Sequence, residues 1–172
     1  MKYKQKLFPF ILTFCIVVVD QLSKAFIVSR WPREGTFIKD VFGNDLLWII
    51  HVRNKAIAFS LGDGLPDQVR VLLFIMVPIV VLGVLLVYYF KTDEFTTLQR
   101  WVVAGIIGGG LGNLIDRIWR PDGVVDFISV NVYGFLGFAR WPTFNIADSS
   151  VVICGILLVI SILFVAKNTH KE

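Results

Sequence analysis

Four aspartates, two asparagines, a lysine and an arginine of this chain lie in or beside apolar runs: Asp20 and Lys24, Asn113 with Asp116 and Arg117, Asp126, and Asn145 with Asp148. A carboxylate or amine at the centre of a membrane span costs about 2.5 to 3.5 kcal/mol on insertion scales, so such groups pair with one another or mark a site. The spacings favour pairing. Asp20 and Lys24 stand i, i+4 on one helix face, Asn113 stands i, i+3 and i, i+4 from Asp116 and Arg117, and Asp116 with Arg117 reads as a second structural ion pair. Asn145 and Asp148, three residues apart, also fit a helix capping box, and Asp126 alone reads as a turn or edge residue. The chemistry open to such a set is that of paired carboxylates. Two aspartates held close cannot both ionise easily; one then acts as base on a water while the other, protonated, polarises a carbonyl. Spacing alone leaves open which two would pair.

Other chemistries lack their residues. The only histidines are His51 and His170, expected on opposite sides of a membrane, and no H-E-x-x-H or G-x-S-x-G is present. Lys24 with Ser60 or Ser129 would make a Ser-Lys pair, but no spacing supports it. Cys15 and Cys154 fall far apart in apolar runs and suit neither a disulfide framework nor a thiolate metal site. No metal or cofactor is expected.

The elements that must carry these groups are membrane spans. Of the 172 residues 56% are hydrophobic and 17% charged, and the mean hydropathy is +0.72, an excess that points to a polytopic, mainly α membrane protein. Four spans are expected, at about 7–28, 71–90, 98–119 and 146–166, in a single membrane domain covering 1–172. The second is the clearest, with 20 uncharged residues from Val71 to Phe90, enough for a hydrocarbon layer of about 30 Å. The third carries Gly105, Gly108, Gly109 and Gly112 along one face, where helices can approach closely. The first follows Lys2, Lys4 and Lys6 like a signal peptide, but its long apolar run without a small-x-small site reads as a retained span.

Charge sets the expected direction. The first six residues, 91–100 and the tail from Lys167 hold seven Lys or Arg in about 22 residues, against eight in about 69 for 29–70 and 118–144. The dense set is then cytoplasmic, as are both termini, and the two long connections lie outside. The net charge of +4 has no basic stripe of the kind nucleic acid needs. The outer connections are β-prone, at about 36–61 with a turn at Gly43, Asn44 and Asp45, and at about 124–139. Trp31, Trp48, Trp119 and Trp141 fall in them or at their boundaries. On this topology Asp20, Lys24, Asn113, Asp116, Arg117, Asn145 and Asp148 converge from three helices toward the outer leaflet.

Five ordered motifs, "DQLSK", "RNKAIAFS", "GNLIDR", "VVDF" and "FNIAD", resemble the lipoprotein signal peptidases, or signal peptidase II, of bacterial inner membranes, over nearly the whole chain. The resemblance implies four transmembrane helices with a small extracytoplasmic β-rich cradle. It implies an aspartic endopeptidase that removes the signal peptide of a prolipoprotein on the N-terminal side of a diacylglyceryl-modified cysteine. The catalytic pair it implies is Asp126 and Asp148. Asp20, Lys24, Asn54, Asn113, Asp116, Arg117 and Asn145 are then substrate-binding or supporting groups, with Trp48, Phe59 and Phe127 in the cradle. Ala56 departs from a glycine common in the family. Prolipoproteins and membrane lipids are the implied partners, and a monomer is expected. Two rival readings are a small carrier with a polar path and a lipoprotein-binding module without catalysis. Against the carrier, the inner halves of all four spans are almost uncharged.

Overall fold

The computed structural model describes residues 3–54, 66–120 and 122–169. Its helices are α1 (Tyr3–Leu7), α2 (Phe10–Arg30), α3 (Asp67–Val71), α4 (Val77–Lys91), α5 (Thr97–Trp119) and α6 (Ile146–Thr169). The strands β1 (Thr36–Asp40), β2 (Leu47–Asn54) and β3 (Val124–Val130) form one antiparallel sheet in the order β1-β2-β3.

Three helical stretches are long and apolar enough to cross a membrane: Lys4–Arg30, Leu72–Lys91 and Ile146–Val165. Proline shapes the ends of two of them. Pro9 separates α1 from α2, so the expected unbroken span from Leu7 starts instead with a short helix and a break. Pro78 has no N–H for the carbonyl four residues earlier, and a π-helical turn, Leu72–Met76, precedes it and joins α3 to α4.

The fourth long helix, α5, is less apolar but is enclosed by its neighbours. Twelve of its 23 residues are buried, and it packs against α2, α4 and α6. Its glycines make that possible. A Cβ at Gly108 would sit 3.0 Å from the Thr13 Cα, one at Gly112 would sit 2.8 Å from Asp20 Oδ2, and one at Gly109 would overlap the Ala147 carbonyl. Small residues thus let α2 and α6 press on α5 from two sides. Hydroxyls bind across the same seams, Thr13 to the Ala104 carbonyl at 2.6 Å and Ser150 to the Gly105 carbonyl at 3.0 Å.

The sheet hangs on the opposite end of the bundle from α1. The turn between β1 and β2 has Gly43 and Asp45 at positive φ. Amides of Asp45, Gly43 and Phe42 converge there on the Asp40 carboxylate and hold its pKa below the usual value. Strand β3 pairs with β2, with Val52 opposite Asp126, and Phe144 bridges Ile128 just before α6 begins. Val125 and Phe127 pack with Ile27 near the C-terminal end of α2, which fixes the sheet to the bundle. The expected β segment 36–61 is observed as β1 and β2, its remainder from residue 55 lying outside the described residues. The segment 124–139 is strand only to Val130, then a turn with Tyr133 and Leu136 at positive φ.

Candidate active site

Asn145 caps α6 and gathers the site around itself. Its side-chain oxygen accepts from the Asp148 amide at 3.0 Å, and Asp148 Oδ2 accepts from the Asn145 amide at 3.1 Å. That is the reciprocal capping box the spacing suggested. The Asn145 side-chain nitrogen then donates outward, to Asp126 Oδ1 at 2.7 Å and to Asn113 Oδ1 at 3.1 Å. Asn113 in turn donates to Asp148 Oδ1 at 2.7 Å. One buried amide therefore ties together the first turn of α6, the strand β3 and the C-terminal part of α5.

Strand β3 brings Asp126 in from the sheet. Asn54, at the end of β2, donates to Asp126 Oδ2 at 3.0 Å. Asp126 is 3% exposed, and its pKa is pushed up to about 7. Loss of hydration is the main cause and the Asp148 charge the next, while hydrogen bonds from Asn54 and Asn145 and the Lys24 charge pull the other way. Asp148 is only partly buried and has both oxygens engaged.

Behind this pair lies a buried charge cluster. Lys24 Nζ sits 2.8 Å from Asp20, 3.0 Å from Asp116 and 3.0 Å from Asn113 Oδ1, and Lys24, Asp20 and Asp116 have no exposed surface. Asp116 also takes Arg120 Nε at 3.0 Å and the Val125 amide at 3.1 Å, while Asp20 takes the Ala147 amide at 3.0 Å. Two carboxylates and two cations balance, as buried charge must. The two amide contacts are the useful ones. They hold the residues next to Asp126 and Asp148, so the ion cluster sets the position of the aspartates from behind.

The expected partner of Asp116, Arg117, is not its partner. Neighbouring helix residues point about 100° apart, and the i, i+4 cation Arg120 meets the carboxylate instead. Arg117 makes no hydrogen bond or ion pair to any described residue, yet Asp148, Asp126 and Asp116 lie close enough for their charges to act on it. Gln21 joins the cluster too, donating to Asp116 Oδ1 at 3.0 Å and to the Gly112 carbonyl at 3.0 Å. Arg120 was legible from its spacing to Asp116, and Gln21 from its place beside Asp20. Lys24 is fully engaged, and Ser129 receives Arg140, so no Ser-Lys pair forms between them. Ser60, Ala56 and Phe59 lie outside the described residues. Of the cradle aromatics, Phe127 is in the buried cluster beneath the sheet and Trp48 lies under Arg140, 3.8 Å from ring to guanidinium.

Chemically, the arrangement presents two carboxylates that share a bridging amide, one of them mostly dehydrated, with an unengaged guanidinium nearby. With one proton on the pair, the aspartates and Arg117 are neutral together. Among the described residues no three His, Cys, Asp or Glu side chains gather as a metal set.

Comparison with known proteins gives a consistent result. Residues 12–164 match the family described as Signal peptidase (SPase) II. The chain is 44% identical over 169 residues to a lipoprotein signal peptidase of Treponema pallidum (strain Nichols), covering 98% of this chain and 90% of that one. It is 39% identical over 171 residues to a lipoprotein signal peptidase of Borreliella burgdorferi (strain ZS7), covering 99% and 98%. Two bacterial membrane enzymes solved by the in meso method share the fold. One has a TM-score of 0.77 at 27% identity, covering 95% of this chain and 92% of the other. The second has a TM-score of 0.74 at 28% identity, covering 90% and 92%.

Proposed function

Because this chain belongs to the signal peptidase II family and is a multi-pass membrane peptidase, we propose that it cleaves prolipoproteins by aspartic chemistry, with Asp126 and Asp148 as the catalytic pair. The cut falls on the N-terminal side of a diacylglyceryl-modified cysteine. The observation that carries the reading is the Asn145 bridge, which bonds the Asp126 carboxylate and caps Asp148 at once.

The raised pKa of Asp126 assigns the roles at rest. Below about pH 7 Asp126 keeps its proton and donates it to the scissile carbonyl oxygen. Asp148, nearer water, acts as the base and takes a proton from the attacking water, whose oxygen bonds to the carbonyl carbon. Collapse of the tetrahedral intermediate breaks the C–N bond, and the proton held by Asp148 passes to the leaving amine. Asp126 takes back the proton it gave. Arg117 is free to meet a substrate carbonyl or to offset the charge that develops. Asn54, Asn113 and Asn145 position the two aspartates, and Asp20, Lys24 and Asp116 hold that frame from behind. A substrate anchored by its lipid presents the scissile bond at the outer leaflet, where the topology read from charge puts the pair.

The test is cleavage of a diacylglyceryl-modified prolipoprotein by purified wild type, Asp126→Asn and Asp148→Asn, with substrate binding followed in parallel. Both variants are expected to bind substrate and to lose about a hundredfold to ten-thousandfold in rate. Wild-type cleavage by either variant would remove that residue from the pair. A wild-type protein that binds substrate without cutting it would favour the binding-module reading.

A further inference from the structure

The end of the bundle far from the aspartates carries an open cleft of about 410 Å³ between α1, the break at Pro9 and the first turns of α5. Arg100 at its wall lies about 24 Å along α5 from Asp116, at 1.5 Å per residue. Lys4, Gln5, Phe8, Pro9, Thr97 and Trp101 complete its lining. Nothing in the peptidase reaction uses it.

Arg100 is the informative residue. It has no exposed surface, and its terminal nitrogens donate to the Tyr89 and Thr92 carbonyls, at 3.2 and 3.0 Å. Its Nε has no hydrogen-bond partner among the described residues. The rings of Tyr89 and Phe95, 5.3 and 5.9 Å away, offer partial compensation for the charge. Among the described residues the nearest carboxylate, Asp93, stands 3.9 Å off, is exposed, and is held by Lys6 at 2.9 Å. A buried guanidinium with so little counter-charge is costly. Around it Lys4, Lys6, Lys91 and Arg100 outnumber Asp93 and Glu94, and the N-terminus of the 23-residue α5 adds the positive end of its dipole.

The other wall is apolar. Phe8 and Trp101 meet edge to face at 5.5 Å. Phe8 and Leu98 are 65% and 53% exposed, so the cleft opens toward the same surface that the spans present to lipid. Cationic on one side and aromatic on the other, at a membrane boundary, it matches a phosphodiester joined to acyl chains.

We propose that this cleft binds the phosphate of an anionic phospholipid, with the headgroup at Lys4 and Thr97 over the buried Arg100 and the glycerol end against Phe8 and Trp101. Binding supplies the counter-charge Arg100 lacks and fastens α1 to α5. It stands apart from the catalytic reading and can be tested in an inactive protein.

The experiment uses the full chain reconstituted in phosphatidylcholine vesicles containing 0 to 30% phosphatidylglycerol, either lipid carrying brominated acyl chains. Quenching specific to Trp101 is the signal of wild type minus that of Trp101→Phe. Brominated phosphatidylglycerol is expected to quench Trp101 at a mole fraction about fivefold lower than brominated phosphatidylcholine, the preference expected per basic group. Lys4→Glu and Thr97→Glu, both on exposed positions, are expected to abolish that preference while unfolding at the wild-type temperature in micelles without added lipid. Equal quenching by the two lipids would overturn the proposal, as would a preference that survives both variants. Inorganic phosphate at 10 mM serves as the third arm: relief of the preference by the free anion would reassign the cleft to a soluble phosphate, and no relief is expected.

Discussion

Asp126 sits where a carboxylate is least at ease, and its energetics make two predictions. The first concerns rate. Because the Asn54 hydrogen bond favours the ionised form of Asp126, Asn54→Ala raises the Asp126 pKa further and moves the alkaline limb of kcat/KM to higher pH. A pH–rate profile checks it, and a limb that stays in place or moves down would contradict Asp126 as the proton holder. The second concerns stability. In the unfolded chain Asp126 returns to about 3.8 and in the fold it lies at about 7. Below both values the proton is bound in either state and nothing depends on pH. Between them unfolding releases the proton, so stability falls as pH rises, by about 1.4 kcal/mol per unit. Above the folded value the penalty is constant, on the order of 4 kcal/mol. Asp126→Asn carries no such proton. Its stability relative to wild type should therefore improve between pH 4 and 7 and then level, as measured by unfolding in micelles across that range. A flat difference would make Asp126 an ordinary carboxylate. At this scale the sequence was legible where polar groups pair at helical spacing, as with Asp20 and Lys24. It misled at Arg117, because proximity in sequence is not proximity on a helix face.

Among the elements, α5 does most of the positioning, and its glycines are the means. A methyl at Gly109 would strike the Ala147 carbonyl and lie 2.7 Å from the Val151 side chain, in the first turns of the helix that begins with Asn145 and Asp148. Gly109→Ala should push α6 away from α5. The expected cost is about 1 to 3 kcal/mol of stability, with cleavage lowered at least tenfold through a fall in kcat. Gly83→Ala is the matched control. Its Cβ meets nothing within 4 Å, so stability should stay within about 0.5 kcal/mol of wild type with full activity. Equal losses from the two would show that helix approach at Gly109 is not what positions Asp148. The small-residue face of α5 was legible in the sequence, whereas the breaks at Pro9 and before Pro78 were hidden inside apolar runs that hydropathy reads as continuous. A lone Asp126 in a β-prone segment gave no sign of its partner either; pairing between β2 and β3 and the Asn145 bridge supply it, and both depend on contacts distant in the chain.

For the whole molecule the open question is direction. Hydropathy and length mark three helical stretches as spans, and α5 joins them because α2, α4 and α6 shield its polar groups. With four crossings, the α4–α5 connector near Glu94 and the turn after β3 lie on opposite sides. On the charge argument the connector with its neighbouring lysines is expected in the cytoplasm. In a background with Cys15→Ala and Cys154→Ala, a cysteine at Glu94 should react with a membrane-impermeant maleimide only after spheroplasts are opened. A cysteine at the exposed Leu136 should react in intact ones. The reverse pattern would put the aspartates on the cytoplasmic side, out of reach of a substrate whose modified cysteine has been carried outward. Identical accessibility of the two cysteines, both reactive in intact spheroplasts or both only in opened ones, would mean that α5 does not cross. The two ends of the molecule then differ in kind. The end with the aspartates spends its buried charges in neutral pairs that fix them, while the far end keeps a surplus of positive charge, the asymmetry from which the expected orientation is read, and leaves Arg100 with little counter-charge.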